Sequence, residues 1–445
     1  MIENKPIEKQ FLKFAVPSML AMLLNGFYTM VDGFFIGRAV GDTGLAGIGI
    51  AWPITAVLLA LGVGIGTGGA VLTSIRRGEG DHQGAGQAQV NTFFLLAVTS
   101  LLTTAVLILV YPSILRWMGA QGDVYTAAAE YTHYIAWGGS LQILASGVTP
   151  LIRNNHRTVQ AMLIMCSGLV TNIVLDAWFL MELDMGLGGA ALATILAQGV
   201  TLVLCIFSLT AEKEYRITAA CCKLRKFDLR RILVIGLSPF GLSLMPSLIS
   251  LLNNWQCLAY GGDNAVAAYC VSNYLIGALM LLLQGVGDGI QPLISFCVGG
   301  GLNTSRRVIL RKGASLVLGM SAAFFLLSFP LRFLLPPMFG TSPETGEIIH
   351  RALPLLGIAF PFMGIVKFYT SSFYASGRTV ESMVLVYADP VLLTPVFLLL
   401  LPRLWQLDGV WLALPAAQIV LTVLLGWLLY RHRKDVSPSE REGRV

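Results

Sequence analysis

The chain has 445 residues, of which 55% are hydrophobic and only 12% are charged, and its mean hydropathy is +0.72. Charged residues are about half as frequent as in soluble domains, so no soluble fold of this length could bury so much apolar surface. A net charge of +6 is compatible with nucleic acid as a partner, but the positions of the basic residues, given below, make this partner unexpected.

Twelve apolar runs reach the length of about 20 residues that a helix needs to cross a bilayer. They predict an all-α integral membrane protein. The polar opening "MIENKPIEKQFLK" has no cleavage site, so the first run is expected to act as an uncleaved insertion signal. The predicted spans 1 to 12 cover residues 14–37, 45–75, 90–115, 124–152, 160–181, 187–210, 232–260, 265–299, 314–335, 346–376, 380–402 and 408–430.

The positions of Lys and Arg indicate which side of the membrane each loop occupies. With the N-terminus inside, 24 of the 30 lie in inner segments, five lie in outer segments and Lys367 lies within a span. Cytoplasmic segments of membrane proteins carry an excess of Lys and Arg. The sequence therefore predicts that both termini are cytoplasmic, and it makes nucleic acid an unexpected partner.

An internal repeat divides the spans into six and six. Pro17 aligns with Pro239, and near the ends of the two halves Gln198 pairs with Gln418. Because six is even, both halves enter the membrane in the same direction and are expected to enclose a cavity suited to alternating access. The predicted parts are an N-terminal lobe at 1–210, a cytoplasmic linker at 211–231, a C-terminal lobe at 232–430 and a cytoplasmic tail at 431–445.

Ionisable side chains at membrane depth are costly and by default indicate function. Asp32 in span 1 and Asp176 in span 5 both lie roughly 24–27 Å from the inner boundary. Asn172 lies one turn inward of Asp176 on the same helical face. The three residues predict a polar cluster in the first lobe. The alternative is a structural role, in which each Asp only forms hydrogen bonds to neighbouring helices.

Such a cluster suggests ion coupling. Two carboxylates in a low-dielectric site cannot both stay ionised unless a cation joins them, so the pair is expected to exchange protons cooperatively. The same oxygens, with Asn172 and backbone carbonyls, would also suit Na⁺. The choice between H⁺ and Na⁺ stays open at this point, and no other cofactor is expected.

The second half carries a different set of charges. Asp288 in span 8, Lys367 in span 10 and Asp389 in span 11 share an estimated depth in the inner half of the membrane. They predict a buried Asp288–Lys367–Asp389 network. Buried ion pairs are commonly structural, so a structural role and a transport role are both retained.

A proline in span 1 and a glycine run in span 2 indicate where helices bend and where they pack closely. Pro17 removes a backbone hydrogen bond in span 1, which predicts a hinge below Asp32 unless the proline merely occupies the first helical turn. The run "GVGIGTGGA" in span 2 predicts close helix packing. It resembles a nucleotide-binding loop only superficially, because it lacks the strand–turn–helix setting.

Signatures of soluble catalysis are missing from the sequence. It contains no Walker lysine loop, HExxH, GxSxG or CxxC pair. The seven cysteines are scattered and are expected to be small buried hydrophobes. The five histidines are expected to lie mostly at the surface. The chain is therefore predicted to be a non-enzyme that draws on an ion gradient.

Three sequence blocks and the repeat carry a family resemblance. The blocks are "VDGFFIGRAVGDTGLAGIGIAWPI", "TNIVLDAWFLMELDMGLGGAALATILAQ" and "GIQPLISFCVGGG". Over essentially its full length the chain resembles the multidrug and toxic compound extrusion (MATE) transporters. The resemblance implies two six-helix lobes in a V shape and export of organic cations in exchange for H⁺ or Na⁺ across the bacterial cytoplasmic (inner) membrane.

The resemblance also implies roles for individual residues. In prokaryotic members with an Asp in helix 1, that residue and the helix 5 Asn and Asp form the cation site, which here implies Asp32, Asn172 and Asp176. A helix 1 proline that bends the helix corresponds to Pro17. The implied substrate cavity is lined by Tyr28, Met30, Phe34 and Asn254.

The sequence departs from the family at several positions. Where some members place acidic residues in helices 7 and 10, this chain has Asn254 and Lys367, which favours coupling in the first lobe. The loop "IRNNHRTVQAM" lacks the glycine typical after its arginine. Asp389 stands where relatives more often have Arg or a neutral residue.

The leading hypothesis is a secondary antiporter that exports amphipathic, cationic small molecules and works as a monomer among membrane lipids. The alternative within the same superfamily is a flippase for lipid-linked or other amphiphilic substrates. A membrane-embedded enzyme is the third possibility, and the sequence shows no catalytic constellation for it.

Overall fold

The computed structural model describes residues 7–211 and 223–435, and no strand occurs within these ranges. Linker residues 212–222 and tail residues 436–445 lie outside the described part. The helices are α1 Ile7–Ala39, α2 Asp42–Gly78, α3 His82–Trp117, α4 Gly122–Asn154, α5 Thr158–Asp176, α6 Gly186–Thr210, α7 Lys226–Gly299, α8 Asn303–Met338, α9 Pro343–Gly357, α10 Ala359–Ala375, α11 Thr379–Ala388 and α12 Thr394–Asp435. Two π turns follow α5 and α11, at Ala177–Glu182 and Asp389–Leu393.

Two of the helices are too long to be single spans. α7 has 74 residues, which at 1.5 Å per residue is almost four times the hydrocarbon thickness of a bilayer. Its backbone leaves the helical region at Gly262, and α12 does so at Trp405 and Gln406. These breaks separate predicted span 7 from span 8, and span 11 from span 12.

The described residues contain nine helices apolar enough to cross a membrane, or ten when α9 and α10 count as one bent span. Dividing α7 and α12 at their breaks gives the twelve predicted spans within that part of the chain. Large apolar side chains cover the outer surface, for example Leu109, Trp117 and Phe207. A surface of this kind requires lipid as its solvent, and the prediction of an all-α membrane protein is confirmed.

The chain forms two compact units. Unit 1 comprises Met1–Leu244, Gln284–Leu310 and Tyr374–Thr379. Unit 2 comprises the remaining segments, Met245–Leu283, Arg311–Phe373 and Val380–Val445. These units do not coincide with the halves of the sequence, and the lobe boundaries proposed from the linker stay a prediction.

Glycines bring helices of unit 1 into backbone contact. A methyl group at Gly66 of α2 would overlap the backbone of Gly147 in α4, and a methyl group at Gly236 of α7 would overlap that of Gly64. The glycine run of α2 therefore serves close packing, as expected from the sequence. A buried ion pair between Arg76 and Asp228 also joins α2 to the beginning of α7.

Candidate functional site

Asp32 of α1 lies beside Asp176 of α5 where these two helices pack, and Asn172 lies one helical turn before Asp176. We call them the carboxylate cluster. All three are buried, and Asp176 is fully enclosed. The carboxyl groups of Asp32 and Asp176 lie within hydrogen-bonding reach of each other. The structure thus brings together Asp32 and Asp176, which the sequence predicted to share a depth, with Asn172 one turn away on α5.

Five of the six polar side-chain atoms of the carboxylate cluster form no hydrogen bond of normal geometry with another described residue. These atoms are Oδ1 of Asp32, both carboxylate oxygens of Asp176, and Oδ1 and Nδ2 of Asn172. Buried polar side-chain atoms in proteins are nearly always hydrogen-bonded. A group of five such atoms at one place is the arrangement expected of a ligand site.

The chemistry of the cluster fits a small cation or a proton. Two ionised carboxylates within hydrogen-bonding reach of each other repel strongly in a low-dielectric interior. A shared proton would supply the missing donor, and a cation would bind the same oxygens. Asn172 adds one neutral oxygen and an N–H donor, so the set can accept either species.

Two neighbouring residues were not selected from the sequence. The Tyr131 hydroxyl of α4 lies beside the Thr55 hydroxyl of α2 and within electrostatic range of Asp32 and Asp176. Both side chains are buried. Tyr131 lies about 14 Å into α4, but a neutral tyrosine is common in apolar helices, so its depth alone does not mark it in the sequence.

Pro17 lies in the interior of α1, ten residues after its first residue. A first-turn position is therefore wrong for this proline. Since proline has no N–H, the carbonyl of Lys13 loses its helical donor. The structure thus places a missing hydrogen bond on the segment of α1 that precedes Asp32, while the hinge role stays a prediction.

The predicted substrate-cavity residues are placed only in part. Phe34 is exposed and its ring contacts that of Phe35. Asn254 is half-buried in α7, with Oδ1 unpaired within the described residues. The side chains of Tyr28 and Met30 lie outside the described part. The substrate cavity stays a prediction.

The predicted second-lobe network is divided between the two units. In unit 2, Asp389 accepts a hydrogen bond of 2.6 Å from Thr394 Oγ1 and another of 2.6 Å from Gln418 Nε2. Lys367 interacts with it electrostatically. In unit 1, Asp288 instead forms a 2.9 Å ion pair with Arg153. The sequence reasoning missed Arg153 and Gln418 as partners, and the three-residue network stays a prediction.

A twelve-span helical fold with a repeat and a buried, unpaired carboxylate cluster defines a polytopic membrane transporter. The sequence profile of the MatE family matches residues 17–178 and again residues 240–397. The chain belongs to the MatE family. The double match also confirms the internal repeat.

Named relatives support this assignment. The chain is 24% identical over 445 residues to the multidrug export protein MepA of Staphylococcus aureus (strain NCTC 8325 / PS 47), covering 98% of this chain and 97% of the relative. Identity to MepA of Staphylococcus haemolyticus (strain JCSC1435) is 23% over 440 residues, with 98% and 96% covered.

Solved structures share the fold. A crystal structure of a MATE protein in complex with MaL6 superposes with a TM-score of 0.90 at 22% identity, covering 97% of each chain. A transporter of the MOP superfamily from Pyrococcus furiosus gives 0.89 at 21% identity, with 97% and 96% covered. At these identities the likeness establishes the fold.

Proposed function

We propose that this chain is a secondary active antiporter that exports amphipathic organic compounds, mainly cations, in exchange for H⁺ or Na⁺. The observation that carries the proposal is the carboxylate cluster, whose five buried polar atoms have no partners among the described residues. A MatE-family fold supplies the setting, and the export activity named for the MepA relatives supports it.

Coupling follows from charge competition. When no ion is bound, Asp32 and Asp176 hold excess negative charge that favours a cationic substrate nearby. Binding of H⁺ or Na⁺ removes that charge and so lowers the affinity for the substrate. Because the effect is reciprocal, binding of the substrate also disfavours the coupling ion. The two ligands then occupy the transporter in turn, as exchange requires.

The proposal includes location and assembly. The excess of Lys and Arg in one set of loops supports a chain in the bacterial cytoplasmic membrane with both termini inside. A monomer is sufficient, because one chain carries both halves of the repeat. No cofactor besides the coupling ion enters the proposal.

The test is transport of ethidium, a fluorescent amphipathic cation, into inside-out vesicles that contain the full chain. We expect uptake when either a proton gradient or a Na⁺ gradient is imposed. The gradient that works identifies the ion. Replacing Asp32→Asn removes one carboxylate at nearly constant shape, and we expect gradient-driven uptake to fall at least about tenfold.

Asp123→Asn is the matched control, because Asp123 is exposed in the first turn of α4. It should transport like the original chain. Full gradient-dependent uptake by the Asp32→Asn protein, at equal expression, would contradict the proposal.

A further inference from the structure

The last two residues of α4 and the three residues before α5 contact α1, α2, α3, α6 and α7 within unit 1. We call residues 153–157, with the sequence "RNNHR", the hub. The sequence drew attention to this segment because it lacks a glycine typical of the family. His156 in fact has a positive φ of 61°, a conformation that is uncommon for residues other than glycine. Such a strained turn needs its surroundings to hold it.

One group of contacts anchors the hub to helices of the first half of the chain. Asn155 Oδ1 accepts hydrogen bonds of 2.6 Å from Arg77 and 3.1 Å from Gln89. Arg157 donates to the Ser208 carbonyl at 3.5 Å. These bonds join the hub to α2, α3 and α6 within one repeat, so they survive any motion between the repeats.

A second group of contacts joins the hub to segment Gln284–Leu310, which comes from the second half of the chain and lies in unit 1. Arg153 forms its 2.9 Å ion pair with Asp288, and both side chains are largely shielded from solvent. Asn154 and Gln291 exchange two hydrogen bonds, of 2.9 Å and 3.2 Å. These bonds span 135 and 137 residues of sequence, so they connect the two repeats directly.

His156 adds an aromatic contact to the same segment. Its ring lies edge-on to Phe296, with centroids 6.0 Å apart, and edge-on to Phe14 of α1 at 5.7 Å. Burial, together with the nearby charges of Arg77 and Lys13, lowers the pKa of His156 to about 4. The ring is therefore neutral at cytoplasmic pH and packs as an aromatic group.

Glycines let the backbones meet beside these polar contacts. A methyl group at Gly299 would overlap the Ile75 carbonyl of α2, and one at Gly289 would crowd the backbone of Phe14 and Ala15 in α1. The segment can lie this close only while these positions lack a side chain. We call these contacts of Gly289 and Gly299 with α1 and α2 the glycine seam. The glycine seam allows the close approach of the backbones, and the hub supplies the polar bonds beside it.

We propose that the hub and the glycine seam form a latch that holds the cytoplasmic side of the transporter closed. The inference rests on the proposed function, since alternating access requires this segment to leave α1, α2 and α4 when the cytoplasmic side opens. The contacts of Asp288, Gln291 and Phe296 must then break, whereas those of Asn155 and Arg157 persist. The latch thus sets the resting population towards the closed cytoplasmic side.

Hydrogen–deuterium exchange of the full chain in lipid nanodiscs, without substrate or ion gradient, tests the latch. The Asp288→Asn protein loses the ion pair while keeping the side-chain shape, and the Gly299→Ala protein loses the close approach. We expect exchange in residues 284–300 to rise about tenfold in each, because a buried ion pair or a tight contact contributes that order of stability. Peptides of α3 should exchange as in the original chain.

Two further proteins provide the controls. Gly277→Ala lies in the same long helix with no atom within 4 Å of the added methyl group, so it shares the helix-propensity change and should leave exchange unaltered. Reversing the pair by Arg153→Asp with Asp288→Arg should restore slow exchange relative to Asp288→Asn, as expected for directly coupled residues.

Unchanged exchange in residues 284–300 for both Asp288→Asn and Gly299→Ala would overturn the latch. A rise spread evenly over the chain would also overturn it, because it would report general loss of stability. The measurement needs no transport, so failure of the latch and failure of the proposed antiport are separate results.

Discussion

Two buried aspartates of this chain differ in how their carboxyl groups are satisfied. Asp389 has one hydrogen-bond donor on each oxygen, from Thr394 and from Gln418. Asp32 lies beside Asp176, whose oxygens have no donor within the described residues. Buried carboxylates cost free energy unless they are paired. Asp389 is therefore a buried carboxyl group with its hydrogen bonds satisfied, whereas the carboxylate cluster carries a burial cost that the ion binding proposed above would relieve.

This contrast predicts opposite effects on unfolding. Asp389→Ala leaves the Gln418 amide and the Thr394 hydroxyl buried without their acceptor, and we expect the free energy of unfolding to fall by about 2–4 kcal/mol. Asp32→Asn should change it by less than about 1 kcal/mol or raise it, since it removes a charge from an unpaired site. Thermal unfolding midpoints of the detergent-purified proteins measure both.

Asp123→Ala serves as the control, because Asp123 is exposed and its replacement should be nearly neutral. Equal losses for Asp389→Ala and Asp32→Asn would contradict the difference in satisfaction between the two sites.

At the residue scale, the sequence predicted those site residues that are recognisable by their charge and by their depth along an apolar helix. Asp32, Asn172 and Asp176 were found because ionisable residues in apolar helices are rare and helix rise is constant. Tyr131 was missed because a neutral tyrosine in an apolar span carries no such signal. Arg153 was counted as an orientation charge, since its ion pair with Asp288 depends on packing between distant segments.

The fifth span of each repeat contains a π turn next to an aspartate. Asp176 directly precedes the turn in span 5, and Asp389 begins the turn in span 11. A π turn inserts one extra residue and re-aims the side chains around it, and such turns are frequent at functional sites. The insertion leaves the apolar pattern almost unchanged, which explains why the spans were predictable and the turns were not.

Pro17 gives the prediction at the scale of one helix. Pro17→Ala restores the N–H donor to the Lys13 carbonyl and stiffens α1 below Asp32. We expect gradient-driven ethidium uptake to fall severalfold while expression and unfolding temperature are kept or raised. Vesicle transport and thermal unfolding of the same preparation measure the two effects.

Pro112→Ala is the comparison, because Pro112 also lies inside a helix, α3, that contributes nothing to the carboxylate cluster. If the two replacements reduced uptake equally, the effect would come from loss of a proline in general, and a specific role for α1 would be wrong.

The compact units show what a repeat pattern cannot predict about the whole chain. Sequence similarity assigns residues 284–310 to the second half, but they pack with the first half in unit 1. Packing at this scale depends on glycine contacts such as Gly299 with Ile75, between segments more than 200 residues apart. Composition and charge placement give the number and direction of spans, but they carry no information on such contacts.

Orientation is the prediction for the whole molecule. A fluorescent protein fused after Val445 should fluoresce, because it folds in the cytoplasm, and alkaline phosphatase fused there should be inactive. The same two reporter proteins fused after Gln121, between α3 and α4, should give the reverse result: an active phosphatase and no fluorescence. Phosphatase activity at Val445 would contradict cytoplasmic termini and the positive-inside assignment.

The position of Asp32 has a consequence for how the protein is made. Its partners Asn172 and Asp176 follow about 140 residues later, which at ribosomal rates of roughly 5–20 residues per second is about 7–30 s. An aspartate at the centre of an inserting helix costs about 2.5–3.5 kcal/mol, and Asp32, which lies nearer the outer boundary, costs less than that. Until span 5 arrives, the Asp32 carboxyl group therefore lacks the Asp176 neighbour that it has in the finished fold. The residue that we propose to couple transport in the finished protein thus also carries a cost while the protein is being made.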